Sequence, residues 1–158
     1  MDIISELNGK RILIWGYGRE GKATEHFLQR CVKPASVDIF EGKKEEIDED
    51  DYDFIIKSPG IVMNEENPKY TSETELFLQQ FRDQVIGITG TKGKSTTSAM
   101  LYTVLKACSG RPVLLLGNIG QPCLDYFEEV TEDTIIVYEM SCHQLAHTNV
   151  SYVQADGR

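Results

Sequence analysis

Val85-Ile86-Gly87-Ile88-Thr89-Gly90-Thr91-Lys92-Gly93-Lys94-Ser95-Thr96-Thr97 runs from an apolar segment through a glycine-bearing turn into a helical pattern. Strand, loop and helix in that order are what a nucleotide triphosphate site requires. Where glycines remove side chains, successive backbone N–H groups can converge on phosphate oxygens, and the helix adds its N-terminal partial positive charge. Lys94 is then placed to reach the β- and γ-phosphates and Ser95 to ligate Mg²⁺. The usual pattern G-x-x-x-x-G-K-[ST] wants glycine where Ile88 stands; here Gly90 precedes Gly93 by three residues. Without a ligand, the same residues would make a strand-to-helix turn capped by Ser95.

Outward from this loop, the chain of 158 residues has room for one ordinary domain, or a small domain and part of another. Hydrophobic residues make up 41% and charged residues 26%, the balance of a globular protein. A net charge of −9, with no basic patch, argues against nucleic-acid binding. Eight of the acidic residues fall within residues 41–53, a run expected to be a solvated connection and not a metal site. Cys31, Cys108, Cys123 and Cys142 contain no C-x-x-C pair, and the His143/His147 pair has no third ligand, so no zinc site is expected. No secretory or membrane-spanning run is evident; the expected location is cytoplasmic, with reduced thiols and no membrane partner.

Before the loop, residues 11–15 form an apolar run that stops at Gly16. Gly16-Tyr17-Gly18-Arg19-Glu20-Gly21 follows, then a helical pattern over 23–30 and a second strand over 36–40 ending at Glu41. This is a βαβ unit of the dinucleotide-binding kind, with an acid 20 positions after the last glycine. A tight turn without a ligand is the alternative. A third strand is expected over 52–56, leading to Ser58-Pro59-Gly60 at a carboxyl end, where α/β sheets bind ligands, although Pro59 and Gly60 also suit a plain turn. Ser72 and Glu75 make a capping box for a helix to about residue 81, with Leu76, Phe77 and Phe81 inward.

A domain of residues 1–84 and the start of a second, residues 85–158, follow from this order. In the second, a helix over 95–108 carries Met100, Leu101, Val104 and Leu105 at 3.6-residue spacing. A strand over 112–116 leads to Asn118, which can stabilise a turn or present its amide to a ligand; a short helix is expected over 124–129. The last strand, 134–138, places Glu139 at its carboxyl end, as a Mg²⁺ ligand or as a buried acid paired with a lysine.

Taken together these segments resemble the bacterial Mur ligases, ATP-dependent amide-forming enzymes of peptidoglycan precursor synthesis, whose loop also lacks the earlier glycine. The marks are residues 90–97, the glycine motif at 16–21, Ser58-Pro59-Gly60-Ile61, Gly117-Asn118-Ile119-Gly120-Gln121-Pro122 and Glu139-Met140-Ser141-Cys142-His143-Gln144-Leu145, closest to the D-glutamate-adding branch. The resemblance implies a Rossmann-like parallel-sheet α/β domain followed by an incomplete P-loop central ATPase domain. It implies that Gly18, Arg19, Glu20, Glu41, Ser58, Pro59, Gly60, Asn118, Ser141 and Gln144 serve the UDP-sugar substrate. Gly90, Thr91, Lys92, Gly93, Lys94, Ser95 and Thr96 would bind ATP, Ser95 and Glu139 would hold Mg²⁺, and Lys94 and Glu139 would be catalytic. The implied reaction joins D-glutamate to UDP-N-acetylmuramoyl-L-alanine through an acyl phosphate, in a monomer. Lys92, Arg19, Glu20, Cys142 and His143 depart from the residues common at their places. The later magnesium and carbamylated-lysine motif and the C-terminal domain are not in this chain, which on its own is expected to be inactive. Two other classes compete: a nicotinamide-dependent oxidoreductase built on the first βαβ unit, and a nucleotide-binding module without chemistry.

Overall fold

The structure is a computed structural model. It describes residues 2–61, 63, 67–117, 121–141 and 144, and the backbone of 152–154. The chain divides into two compact units, Met1–Gln80 and Phe81–Arg158.

In the first unit the elements run α1 (Ile3–Leu7), β1 (Arg11–Trp15), α2 (Arg19–Cys31), β2 (Ser36–Phe40), β3 (Phe54–Lys57), β4 (Tyr70–Ser72) and α3 (Glu73–Phe81), which ends at the division. The strands form one parallel sheet in the order β2-β1-β3-β4. From β1 the chain passes first to one side, to β2, and then back to the other, to β3. The carboxyl ends of β1 and β3 therefore flank a topological switch point, the place where sheets of this kind bind ligands. Strand alternation sends Ile12 and Ile14 to one face and Leu13 and Trp15 to the other. Gly21 at the start of α2 approaches Ile14, and Ala23, Phe27 and Leu28 of that helix are buried.

The opposite face is where the structure departs from expectation. Leu13, Trp15 and Ile55 are covered by Phe40, Ile47, Tyr52, Ile61, Met63 and Tyr70. Two of these, Ile47 and Tyr52, belong to the acidic run, which forms 3-10 turns at Lys44–Glu46 and Glu49–Asp51. Glu49 is half-buried and accepts from the Tyr70 hydroxyl at 2.6 Å and from Asn67 Nδ2 at 2.8 Å. The run is thus a layer over the sheet, held by two apolar anchors and a hydrogen-bonded carboxylate, and not simply a solvated connection. Charge density hid the anchors, because its acids face water while Ile47 and Tyr52 face the sheet.

Short elements account for the other differences. Helix α1 and strand β4 have too few residues for a periodic signal. The helix after Ser72 is where its capping box placed it: it runs Glu73–Phe81, and Ser72 Oγ accepts from Glu75 N at 3.2 Å, as a capping residue should. The third strand starts at Phe54, because Asp53 is spent on a crosslink: its carboxylate accepts from Arg11 N at 2.8 Å and its own N–H donates to Arg11 O at 2.8 Å.

The second unit holds β5 (Val85–Thr89), α4 (Lys94–Cys108), β6 (Val113–Gly117), β7 (Ile135–Glu139) and β8 (Tyr152–Gln154). They make a parallel sheet in the order β6-β7-β5-β8, one described strand more than the sequence indicated. Strands of this kind are buried on both faces and read as continuous apolar runs, as β5 and β7 do. Ile88, Val113 and Val137 form the centre, with Leu101, Tyr102 and Leu105 of α4 packed against it. Met100 and Val104 share the helical spacing but stand 65% and 57% exposed, since the strands cover one stripe of α4 only. Residues 123–129 form a 3-10 helix and not an α-helix, with Cys123, Leu124 and Phe127 buried. The Phe127 ring lies 5.0 Å from that of Phe81.

Glu49→Ala removes the acceptor of both the Tyr70 and Asn67 bonds. It is expected to cost about 1–3 kcal/mol in urea unfolding, with Glu49→Gln losing less. A loss within about 0.5 kcal/mol, the range of an ordinary surface change, would return the acidic run to the status of a solvated connection.

Candidate functional site

The second unit builds its site from the end of β5 and the start of α4. Gly90 has φ 141° and Gly93 φ 78°, backbone conformations that side-chain-bearing residues rarely adopt. Gly93 is the N-cap of α4 and supplies no side-chain cap. The first intrahelical bond runs from Thr97 N to Gly93 O at 2.9 Å, so the N–H groups of Lys94, Ser95 and Thr96 have no acceptor within the helix. Thr91, Lys92 and Gly93 are exposed, and Lys94 Nζ donates to Gly90 O at 2.6 Å across the loop. Donors and ammonium face the same concavity, which suits a polyanion. Ser98, fully buried, donates its hydroxyl to Lys94 O at 2.7 Å and fixes the first turn.

Strand β7 lies beside β5, with Glu139 in register with Ile88. Met140 N donates to Ile88 O at 2.8 Å and holds the strand end there. Glu139 is 3% exposed, and Ser95 Oγ donates to its carboxylate, 3.2 and 3.3 Å from the two oxygens. Burial of a carboxylate is costly unless it is paired. Among the described residues its hydrogen-bond partner is a hydroxyl and not a lysine, against the buried-ion-pair alternative.

A hard divalent cation bound by one hydroxyl and one carboxylate, with phosphate oxygens and water completing the shell, is the usual arrangement for Mg²⁺ beside a triphosphate. The donor set fits that ion. It does not fit an all-protein metal cage: among the described residues no group of three His, Cys, Asp or Glu could hold a metal.

Gly117, the last residue of β6, supports this arrangement. At φ 98°, a Cβ there would run into Glu139 O and stand 3.0 Å from Glu139 N, so only glycine lets β6 end against β7. Sequence reasoning placed Gly117 in a motif without seeing this role; its signal was a glycine closing an apolar run. Two residues beyond Glu139, Gln144 Oε1 accepts from Ser141 N at 2.8 Å and from Ser141 Oγ at 3.1 Å, which brings this predicted pair together. Asn118, Cys142, His143 and His147 lie outside the described residues.

In the first unit the glycine motif occupies the switch point. Gly16 has φ 92°, and a Cβ on it would collide with Ser58. Ser58 Oγ donates to Gly16 O at 3.1 Å and Ser58 N to Trp15 O at 2.9 Å, joining the loop after β1 to the loop after β3. A Cβ on Gly21 would collide with Gly16 O, so that glycine lets α2 start tight against the strand. Gly18 is the N-cap of α2, again without a side-chain cap, and Arg19 and Glu20 open the helix. Glu41 is exposed directly after β2, and next to it Gly42 O accepts from Trp15 Nε1 at 3.0 Å. Gly18, Arg19 and Glu20 thus follow β1, Ser58, Pro59 and Gly60 follow β3, and Glu41 follows β2, all at the carboxyl ends of neighbouring strands.

Sequence reasoning passed over Tyr17. Its hydroxyl bonds the Glu25 carboxylate, and Lys22 Nζ lies 5.8 Å from the ring centre, so the glycine loop is tied to α2.

Two parallel sheets, each with a glycine loop opening onto an uncapped helix, define a Rossmann-like unit followed by a P-loop nucleotide-binding unit. Residues 88–156 match the family model described as the Mur ligase middle domain. The chain belongs to the Mur ligase family. It is similar to the UDP-N-acetylmuramoylalanine–D-glutamate ligase of Clostridium kluyveri, at 37% identity over 78% of this chain and 29% of that one. The same-named protein of Leuconostoc mesenteroides is 28% identical over 89% of this chain and 38% of its own length. A UDP-N-acetylmuramoyl-L-alanine–L-glutamate ligase from Xanthomonas euvesicatoria is 32% identical over 89% and 37%. The chain thus spans well under half the length of these relatives. Among solved structures, MurF ligase from Thermotoga maritima in complex with ADP aligns at 18% identity and TM-score 0.34, over 89% of this chain and 31% of that one.

The Glu25 hydrogen bond, then burial and the nearby carboxylate charge, hold the Tyr17 phenol above its ordinary value of 10.0. The folded chain keeps the proton more tightly than the unfolded one. Stability from this bond is therefore complete below pH 10.0 and is lost as pH rises through the raised value. In Glu25→Ala, Tyr17 is expected to titrate closer to its ordinary value, read by NMR of ring-labelled tyrosine; an unchanged midpoint would contradict the bond.

Proposed function

We propose that this chain carries the acceptor-nucleotide and ATP sites of a ligase that joins glutamate to UDP-N-acetylmuramoyl-L-alanine. The observation that carries this is the bond between Ser95 and buried Glu139 at the mouth of an uncapped glycine loop. The activities for which the relatives are named supply the substrate class. On this basis residues 1–84 bind the UDP-sugar and residues 85–158 bind ATP.

In the reaction proposed, a carboxylate oxygen of the acceptor attacks the γ-phosphorus of ATP. ADP leaves and an acyl phosphate forms. The amine of glutamate then attacks the acyl carbon, inorganic phosphate leaves, and the amine gives up a proton. Backbone N–H groups of residues 90–96 hold the phosphates. Lys94 exchanges Gly90 O for phosphate oxygens, where its charge offsets that building on the transferred group. Ser95 and Glu139 hold Mg²⁺, which when bound neutralises charge on the same oxygens. Gly18, Arg19, Glu20, Glu41, Ser58, Pro59 and Gly60 take the nucleotide end of the acceptor, while Asn118, Ser141 and Gln144 take its muramoyl-peptide end.

The hand of the glutamate is the finer point. Relatives of both kinds, D and L, resemble this chain over similar lengths. D-glutamate is the form proposed, in keeping with the motif resemblance.

Calorimetric titration tests this. Mg-ATP and UDP-N-acetylmuramoyl-L-alanine are each expected to bind, and NADH is not. Lys94→Met is expected to weaken Mg-ATP about tenfold to a hundredfold, the value of a lost charge-assisted bond, with UDP-sugar binding unchanged. Binding of NADH in place of the UDP compound would favour an oxidoreductase and overturn the proposal.

A further inference from the structure

Lys57 is the last residue of β3, opposite Trp15 at the end of β1 and Ser72 at the end of β4. It therefore stands on the carboxyl edge of the sheet at the switch point, one residue before the Ser58 that bonds Gly16. Alternation puts it on the Trp15 and Ile55 face, away from α2, beneath the turn formed by residues 58–61. Its ammonium donates to Ile61 O at 3.1 Å, and among the described residues it has no other partner.

Two other cations of this unit lie beside carboxylates. Arg11 is within 3.5 Å of Asp53, and Lys69 within 3.9 Å of Asp50. The run at residues 41–53, rich in carboxylates, belongs to the same unit, yet among the described residues none pairs with Lys57. An ammonium has three donors and strongly prefers a counter-charge once partly removed from water. One donor holds the turn at Ile61 and two remain. An anion at these strand ends would supply a counter-charge that no described residue provides, and in a unit so rich in carboxylates an anionic ligand needs such a cation to enter.

We infer that Lys57 is a binding residue for the diphosphate of the nucleotide substrate, on the opposite side of the switch point from the α2 N-terminus. This rests on the UDP-sugar assignment of the first unit. While one proton keeps Ile61 O, the others meet phosphate oxygens, so the turn at Ser58, Pro59 and Gly60 is drawn onto the ligand. Discrimination follows: a nucleoside without phosphates gains nothing from Lys57, and a diphosphate gains a charge-assisted contact.

The test is calorimetric titration of the whole chain with UDP and with uridine, in the wild type, Lys57→Met and Lys57→Arg, each checked by thermal melting. Lys57→Met is expected to weaken UDP about tenfold or more, leaving any uridine binding unchanged, while Lys57→Arg stays within about threefold because the charge persists. Rescue by arginine separates a charge contact from a steric one, since its longer, forked side chain keeps the charge and not the shape. If UDP affinity in Lys57→Met matches wild type, or if both variants weaken UDP and uridine alike, Lys57 does not bind the diphosphate. If wild type binds no UDP while still binding Mg-ATP, the UDP-sugar assignment falls, and the role of Lys57 with it.

Discussion

A buried carboxylate with a hydroxyl for a partner is the feature on which the second unit turns. Glu139 is held at the end of β7 by Met140 N bonding Ile88 O on one side, and by the glycine at 117 allowing β6 close on the other. Ser95 reaches it from the first turn of α4. Three strands and a helix therefore meet at one carboxylate, and the register of each is constrained by it. A cation arriving with a polyanion would stabilise such a group, and the uncapped loop beside it is suited to that polyanion.

The first unit solves a related problem through the order of its strands. Its switch point exists because the chain reverses its direction of travel across the sheet between β2 and β3. The loops after β1 and β3 are then pulled together by Ser58 on Gly16, a contact that any side chain at Gly16 would block. Lys57 stands at the end of β3 beside them, and the layer of residues 41–53 covers one face of the sheet. Rigid strand ends thus carry loops whose backbone N–H groups remain available, the general condition for binding phosphates without large rearrangement.

Much of this was legible in sequence because parallel strands leave simple marks. Runs such as Ile12-Leu13-Ile14 and Ile135-Ile136-Val137 are apolar throughout since both faces are buried, and glycines follow where loops must turn sharply. The phosphate loop, the switch-point glycines and Glu139 at a strand end could all be placed that way. What was missed is short or masked by charge. Strand β4 has three residues. Ile47 and Tyr52 are two anchors among eight acids. Tyr17 and Lys57 carry no pattern of their own, because each matters through a residue distant in sequence or on a neighbouring turn.

By itself the sequence determined the succession of strands and helices, the identity of the two glycine loops, and the set of polar residues at strand ends. These follow from local spacing, and local spacing is what burial on two faces and phosphate binding impose. Only the tertiary structure decided which strand lies beside which. That choice brings Glu139 to Ser95 and Ser58 to Gly16, folds the acidic run over Leu13 and Trp15, and leaves Lys57 at a strand end with the Ile61 carbonyl as its described partner. Such relations depend on pairing order and on distances of a few ångströms between residues tens of positions apart, and no periodicity along the chain encodes them.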